Sequence, residues 1–382
     1  MRILGWPLIW VAHIARRIQA LTWAATAYRW SVFFAPHRAR TWMEYGLVLR
    51  RLDRKEEGLA VLERALALDP TSHRIAKATM EARPRGPIPD RFGFIILGTT
   101  GLCNASCIHC PTGKVATSHV PRTPMPMPLF REVIDGIADL AFPITGQIAF
   151  GLFGDALVDP FVVERARYVR HHFPSLPLSI NTNAAAFSRK RHVALRELNV
   201  TIGLHCESLV PETFNMLMHP LRLERVLPKY EEILEIFAGH VHVAIPVNQR
   251  NLADVADTRR WFQKRKANVL LAPMMSRCAS DRRVFDALAL RPVPMRCGSA
   301  VLDDLVVDCD GTVLRCCQDF ERAEPIGSVA KQPLRDIVFG AARKAHADML
   351  DSGGHLGSVT CSRCFCDNMY ELEDFVQAAI VH

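Results

Sequence analysis

The chain has 382 residues, 49% of them hydrophobic, which suits two or three domains rather than one core. Its 47 basic and 39 acidic residues leave a formal charge of +8 with no long lysine/arginine run, so no nucleic-acid partner is expected. Twelve cysteines are many for a chain with no clear export signal, and their close spacing points to metal ligation rather than disulfides.

Residues 3–15, ILGWPLIWVAHIA, are too short to span a bilayer, and Arg16 and Arg17 follow them with no convincing small-residue cleavage site. A cytoplasmic location is therefore expected. Five tryptophans, Trp6, Trp10, Trp23, Trp30 and Trp42, fall in the first 42 residues. Helix–helix packing is the preferred reading; weak contact with a membrane surface is the alternative.

Over residues 41–72, Trp42, Gly46, Gly58, Leu62, Ala65 and Pro70 fall at the spacing of a tetratricopeptide repeat. Pro36 and Ala24 precede Pro70 and Gly58 by one 34-residue period, so residues 20–38 resemble the second helix of an earlier repeat. One and a half repeats make no free solenoid. They are expected to pack on the rest of the chain, on a partner protein or on a second copy. ARPRGPIPD (82–90) reads as a linker, which puts a helical segment at 1–89.

Six strand-like runs follow, at 92–100, 147–154, 176–183, 199–206, 240–248 and 268–274, alternating with amphipathic segments. Strand, crossover helix, strand implies a parallel sheet, and six units suit a partial (β/α)6 barrel over 90–290. Function in such a fold sits at the C-terminal strand ends. The loop PRTPMPMP (121–128) reads as a stiff spacer, with a lid as the alternative.

The first run leads into TTGLCNASCIHCPTGK, where Cys103, Cys107 and Cys110 stand as C-x3-C-x2-C. His109 could be a fourth zinc ligand, but it adjoins Cys110, and neighbouring side chains rarely reach one tetrahedron. An iron–sulfur cubane held by three thiolates would instead leave one iron open. A C-x3-C-x2-C loop after the first strand of a β/α barrel resembles the radical S-adenosylmethionine (SAM) superfamily. The resemblance implies a [4Fe–4S] cluster on Cys103, Cys107 and Cys110 that binds SAM and cleaves it by one electron to a 5′-deoxyadenosyl radical. It also implies a one-electron donor such as flavodoxin or ferredoxin.

Matched residue by residue, the resemblance gives His109 the place of the aromatic that packs on adenine. Phe153-Gly154-Asp155 stands where Gly-Gly-Glu meets the SAM amino group, and Thr182 and Asn183 stand at the ribose or carboxylate. Asn248 falls near adenine. The bland alternatives are a surface acid for Asp155 and an Asx turn at Asn183.

Seven cysteines lie in the last 92 residues. Cys297 to Cys316 reads C-x13-G-x4-C through Gly311, and CSRCFC follows at 361–366. This resembles the SPASM or shorter twitch extension of radical SAM enzymes, a small α+β iron–sulfur domain over 291–382. It implies one auxiliary [4Fe–4S] cluster on Cys297, Cys316, Cys361 and Cys364, with Cys309, Cys317 and Cys366 left over as alternatives for an assigned ligand. Zinc remains the alternative.

The implied activity is oxidation or epimerisation of a small polar substrate, a sugar or glycosylated metabolite. A peptide-modifying maturase and a non-catalytic, zinc-stabilised repeat adaptor are the alternatives. Epimerisation needs a hydrogen donor, and Cys206, at the end of the fourth run, and Cys278, after the sixth, are its candidates. The bland reading of each is a small buried hydrophobe.

Overall fold

The computed structural model describes Ala12 and residues 20–82, 89–369 and 371–381. The chain divides into two compact units, 1–90 and 91–382.

Among the described residues of the first unit the helices α1 Leu21–Phe34, α2 Ala39–Arg51, α3 Lys55–Leu68 and α4 His73–Ala82 run in order. The glycine spacing has a physical cause. A Cβ on Gly46 would come within 2.7 Å of Leu62 and 2.9 Å of the Gly58 carbonyl, so α2 and α3 approach through facing glycines. Leu62 and Ala65 are fully buried at that crossing. Trp42 packs between the two small cores, its indole N–H donating to the Pro36 carbonyl at 2.9 Å. Trp23 and Trp30 stay exposed, so among the described residues helix packing accounts for Trp42 and not for them. Trp6 and Trp10 lie outside the described residues.

The second unit is built on one nine-stranded sheet. Six parallel strands form its barrel part: β1 Ile95–Leu97, β2 Ile148–Phe150, β3 Leu178–Thr182, β4 Val200–His205, β5 Val241–Val247 and β6 Asn268–Pro273. They pair strictly in sequence order, as in Leu97 opposite Phe150 and Phe150 opposite Ile180. The crossovers include α5 Met127–Leu140, α6 Val162–His172, α7 Leu223–Ile236 and α8 Val255–Lys264. Each buries an apolar stripe on the sheet. Phe130 of α5 and Phe150 of β2 are fully buried and meet edge to face, 5.8 Å apart, each burial worth about 1.5–3 kcal/mol.

The C-terminal segment is not a separate compact body. After β7 Pro292–Pro294, the strands β8 Leu305–Val307, β9 Thr312–Leu314 and β10 Pro325–Ser328 continue the barrel sheet. β8 pairs parallel with β1, and β9 and β10 follow antiparallel. β11 Phe365–Asp367 pairs with β7 in a small second sheet. The cysteines after residue 290 are thereby hung from the strand that leads into the first cysteine loop.

The proline-rich segment is strapped down beside β1. Met125 N–H donates to the Thr99 carbonyl and Gly101 N–H to the Thr123 carbonyl, each at 2.9 Å. That fits the spacer reading. Among the described residues no helix is long and apolar enough to cross a membrane.

Candidate active site

The strand ends meet at a cavity of about 460 Å³. The cysteine loop forms one wall and is held by backbone bonds rather than by its thiols. Ser106 N–H donates to the His219 carbonyl at 2.6 Å and Ile108 N–H to that of Leu217 at 3.0 Å. Cys103, Cys107 and Cys110 all line the cavity as half-buried free thiols. Burial, and then the neighbouring thiols and acids, push Cys107 up well above its ordinary value, and Cys103 is pushed up to about 11. Thiols crowded in this way gain from a cation that takes their protons.

Gly154 lets the end of β2 approach this loop. A Cβ there would lie 2.2 Å from the Thr100 carbonyl and 2.6 Å from that of Leu102. Asp155, next in line, is buried and lines the same cavity. It accepts from Leu157 N–H at 3.0 Å, from the Thr182 hydroxyl at 2.9 Å and from Asn183 N–H at 2.8 Å. Three donors leave a carboxylate about one acceptor site for an ammonium group. Burial pushes its pKa up, and these donors oppose that. Asn183 makes the Asx turn, accepting from Ala185 N–H, and also donates to Asn104 Oδ1 at 2.8 Å, which ties β3 to the cysteine loop. Asn104 was not singled out by the sequence reading, since an asparagine inside a cysteine loop carries no spacing signal.

His109 lines the cavity with its ring 6.0 Å from that of His205. Burial pushes its pKa down to about 4, so the ring is neutral near pH 7. Its Nδ1 lies 3.4 Å from Glu207, which holds His205 Nε2 at 3.0 Å. Glu207 is a hub that the sequence reading passed over as a neighbour of Cys206. It is fully buried, yet its pKa is lowered: burial acts upward, and the two histidines together with Arg277 outweigh it.

Three expected residues are placed elsewhere. Asn248 does not line the cavity; it is fully buried behind Glu207 and donates to its Oε2 at 3.2 Å. It holds a cavity group rather than adenine. Cys206 faces the core, since the strand alternates and His205 takes the cavity side. Its thiol contacts the Ser208 carbonyl, and burial pushes its pKa up to about 12. Cys278 lies against Cys364 and is likewise not among the cavity residues.

In the second set Cys297, Cys316, Cys361 and Cys364 are half-buried free thiols, with Cys317 against Cys316 and Cys278 against Cys364. Burial and then the thiols of Cys364 and Cys361 push Cys297 upward. Polar caps shape the set: Cys361 N–H donates to Ser358 Oγ at 3.1 Å, and His355 Nε2 meets the Cys297 carbonyl at 2.7 Å. Of the leftover cysteines, Cys309 and Cys366 are buried against the Pro121 and Asp367 carbonyls. Cys317 differs: it lines the cavity.

The sulfur spacing bears on the metal. Among the described residues, the three candidate ligand atoms mutually within 4.8 Å are those of His109, His205 and Glu207; neither cysteine set is that tight. A tetrahedral zinc ion with Zn–S of roughly 2.3 Å holds its sulfurs about 4 Å apart. A cubane, with one thiolate per iron, holds them wider. The free thiols of both sets have the donor chemistry of an iron–sulfur cluster.

Residues 297–365 match the SPASM family, described as an iron-sulfur cluster-binding domain. No curated protein matches the chain. Among solved structures, BtrN in complex with AdoMet and 2-DOIA aligns with TM-score 0.52 at 18% identity, over 72% of this chain and 92% of that one. SuiB of Streptococcus suis bound to S-adenosylmethionine aligns with TM-score 0.51 at 13% identity, over 81% and 83%. The enzyme anSMEcpe with bound AdoMet and a Cp18Cys peptide aligns with TM-score 0.50 at 13% identity, over 68% and 84%. The chain has the fold of the radical SAM enzymes and carries a SPASM iron–sulfur domain in its C-terminal part.

Proposed function

We propose that the protein is a radical SAM enzyme that oxidises or epimerises a small polar substrate. One observation carries the reading: the three thiols of the C-x3-C-x2-C loop line the same cavity as a buried carboxylate held by the next strand, and the loop supplies no fourth. A [4Fe–4S] cluster on Cys103, Cys107 and Cys110 would supply the electron that cleaves SAM to a 5′-deoxyadenosyl radical. Asp155 offers its remaining acceptor site to the SAM ammonium, and Thr182 and Asn183 fix that carboxylate. The neutral ring of His109, braced by Glu207, presents a flat face to adenine. Cys297, Cys316, Cys361 and Cys364 would hold the auxiliary cluster, and a flavodoxin or ferredoxin would deliver electrons.

The substrate side of the cavity is lined by Gln147, Asn181, His205 and His242, which favours hydroxyl-bearing molecules over apolar ones. Burial pushes His242 down, toward its neutral form. If the reaction is an epimerisation, Cys317 is better placed as hydrogen donor than Cys206 or Cys278, because it lines the cavity and they do not. A peptide substrate is the second reading, favoured by the peptide bound to anSMEcpe and by SuiB bound to its precursor peptide SuiA.

Anaerobic turnover with dithionite and deuterated candidate substrates tests the proposal. Methionine and 5′-deoxyadenosine are expected in equal amounts, with deuterium in the latter for a true substrate. Zinc without sulfide in the purified protein, or no SAM cleavage by a chain holding iron and sulfide, would contradict it.

A further inference from the structure

The cavity contains a cation that the proposed chemistry does not use. Arg277, in the loop after β6, is the one lysine or arginine among the described cavity-lining residues. Its guanidinium lies 5.1 Å from the centre of the Phe320 ring, and Nη1 donates to Gln318 Oε1 at 3.2 Å. Among the described residues no carboxylate pairs with it. The two acids nearest the cavity are spent elsewhere, Asp155 on the end of β3 and Glu207 on two histidines. A guanidinium carries five N–H donors in a fixed fork, and one of them is used here.

The backbone that presents this side chain is over-determined. Arg277 and Cys278 both have left-handed φ, 54° and 49°, a conformation unfavourable for residues with a Cβ and held only when the surroundings impose it. Ser276 imposes it from one side. Its N–H donates to the Phe365 carbonyl at 2.9 Å, its hydroxyl donates to the Arg363 carbonyl at 2.7 Å, and its Oγ accepts from Phe365 N–H. From the other side Ser280 binds Glu321 through its N–H and its hydroxyl, each at 2.8 Å. The loop is thus stapled to the segments that flank Cys316 and Cys364. The strain turns Arg277 toward the cavity and Cys278 toward Cys364.

We propose that Arg277 is the subsite for an oxyanion, a carboxylate or phosphate, carried by a small-molecule substrate. This deepens the functional reading above and rests on it only for the word substrate. A fork of donors, stacked on an aromatic face and with no carboxylate in ion-pair contact (Glu207 acts on it only at longer range), matches the planar oxygens of such a group. The neutral residues Gln147, Asn181 and His242 would take the remainder of the molecule. Two competing roles exist for the same cation, counter-ion to the auxiliary cluster's thiolates and ligand to the SAM carboxylate, and the test separates them.

Full-length, cluster-loaded protein is titrated calorimetrically with inorganic phosphate, acetate and neutral glycerol, with SAM and without reductant. Phosphate or acetate binding is expected in the wild type and weakened about tenfold or more in Arg277→Gln, with Arg277→Lys between them and glycerol unaffected. Whichever anion responds identifies the class. SAM affinity, the auxiliary cluster's EPR signal and the melting temperature are expected to stay at wild-type values. Unchanged anion binding in Arg277→Gln overturns the proposal, as does loss of SAM binding, or a shifted auxiliary signal with anion binding intact. If wild-type protein binds the anion through Arg277 but does not cleave SAM, the functional reading fails and this subsite stands.

Discussion

The two cysteine sets differ in number and in surroundings. Cys103, Cys107 and Cys110 line an open cavity beside Asp155, and their loop carries no fourth cysteine; Cys317, which also lines the cavity, comes from the C-terminal segment. Cys297, Cys316, Cys361 and Cys364 are the four proposed for the auxiliary cluster, with Ser358 bonded to the Cys361 N–H and His355 to the Cys297 carbonyl. Three thiolates leave an iron free to bind a molecule, and four leave none. On the proposed reading the same ligand type would serve reaction in one set and support in the other.

The most severe way to break this comparison is to exchange the two outcomes by mutation. Cys103→Ala, Cys107→Ala or Cys110→Ala is expected to abolish 5′-deoxyadenosine formation and to lower iron by about four per chain. Cys361→Ala or Cys364→Ala is expected to lower iron similarly while leaving reductive SAM cleavage measurable. Product analysis and iron content read both. SAM cleavage that survives in the first group or vanishes in the second would invert the assignment.

A smaller effect is expected at Asp155. Asp155→Asn keeps the side-chain shape but removes the charge that faces an ammonium. SAM affinity, by equilibrium dialysis, should fall about tenfold, with both clusters retained. Unchanged affinity would leave Asp155 as a tie between β2 and β3 only.

Much of this was legible in the residues. Spacing alone marked both cysteine sets, and its place at the end of the fourth run marked Cys206 as a candidate. It could not say which face turned inward, because β4 is buried on both sides and carries no polar alternation. Asn248 failed for a related reason: an asparagine at a strand end signals a turn or a ligand equally well. The pairing of β8 with β1 joins residues over two hundred positions apart, and no local pattern announces a contact of that range. Arg277 was invisible because its significance lies in a left-handed backbone and in the absence of a paired acid.

The smallest expected effect concerns the scaffold and sharpens the comparison by standing outside both sites. His192 is fully buried, its Nδ1 accepts from Ser188 N–H, and burial pushes its pKa from 6.5 down to about 4. The neutral ring's contribution to stability is complete above the unfolded value of about 6.5. It is lost as pH falls toward 4, because the unfolded chain takes up the proton first. Melting temperature should therefore decline through that window, and His192→Gln should flatten the decline. A parallel decline in the variant would assign it to other groups.

The central claim is that one cluster is open to SAM and the other closed. EPR spectra of the dithionite-reduced protein, with and without SAM, test it most directly. In the wild type SAM should perturb one of two cluster signals. In a Cys103→Ala, Cys107→Ala, Cys110→Ala triple variant one signal should remain, and SAM should leave it unchanged. A remaining signal that responds to SAM, or a wild-type spectrum that does not respond, would contradict the account.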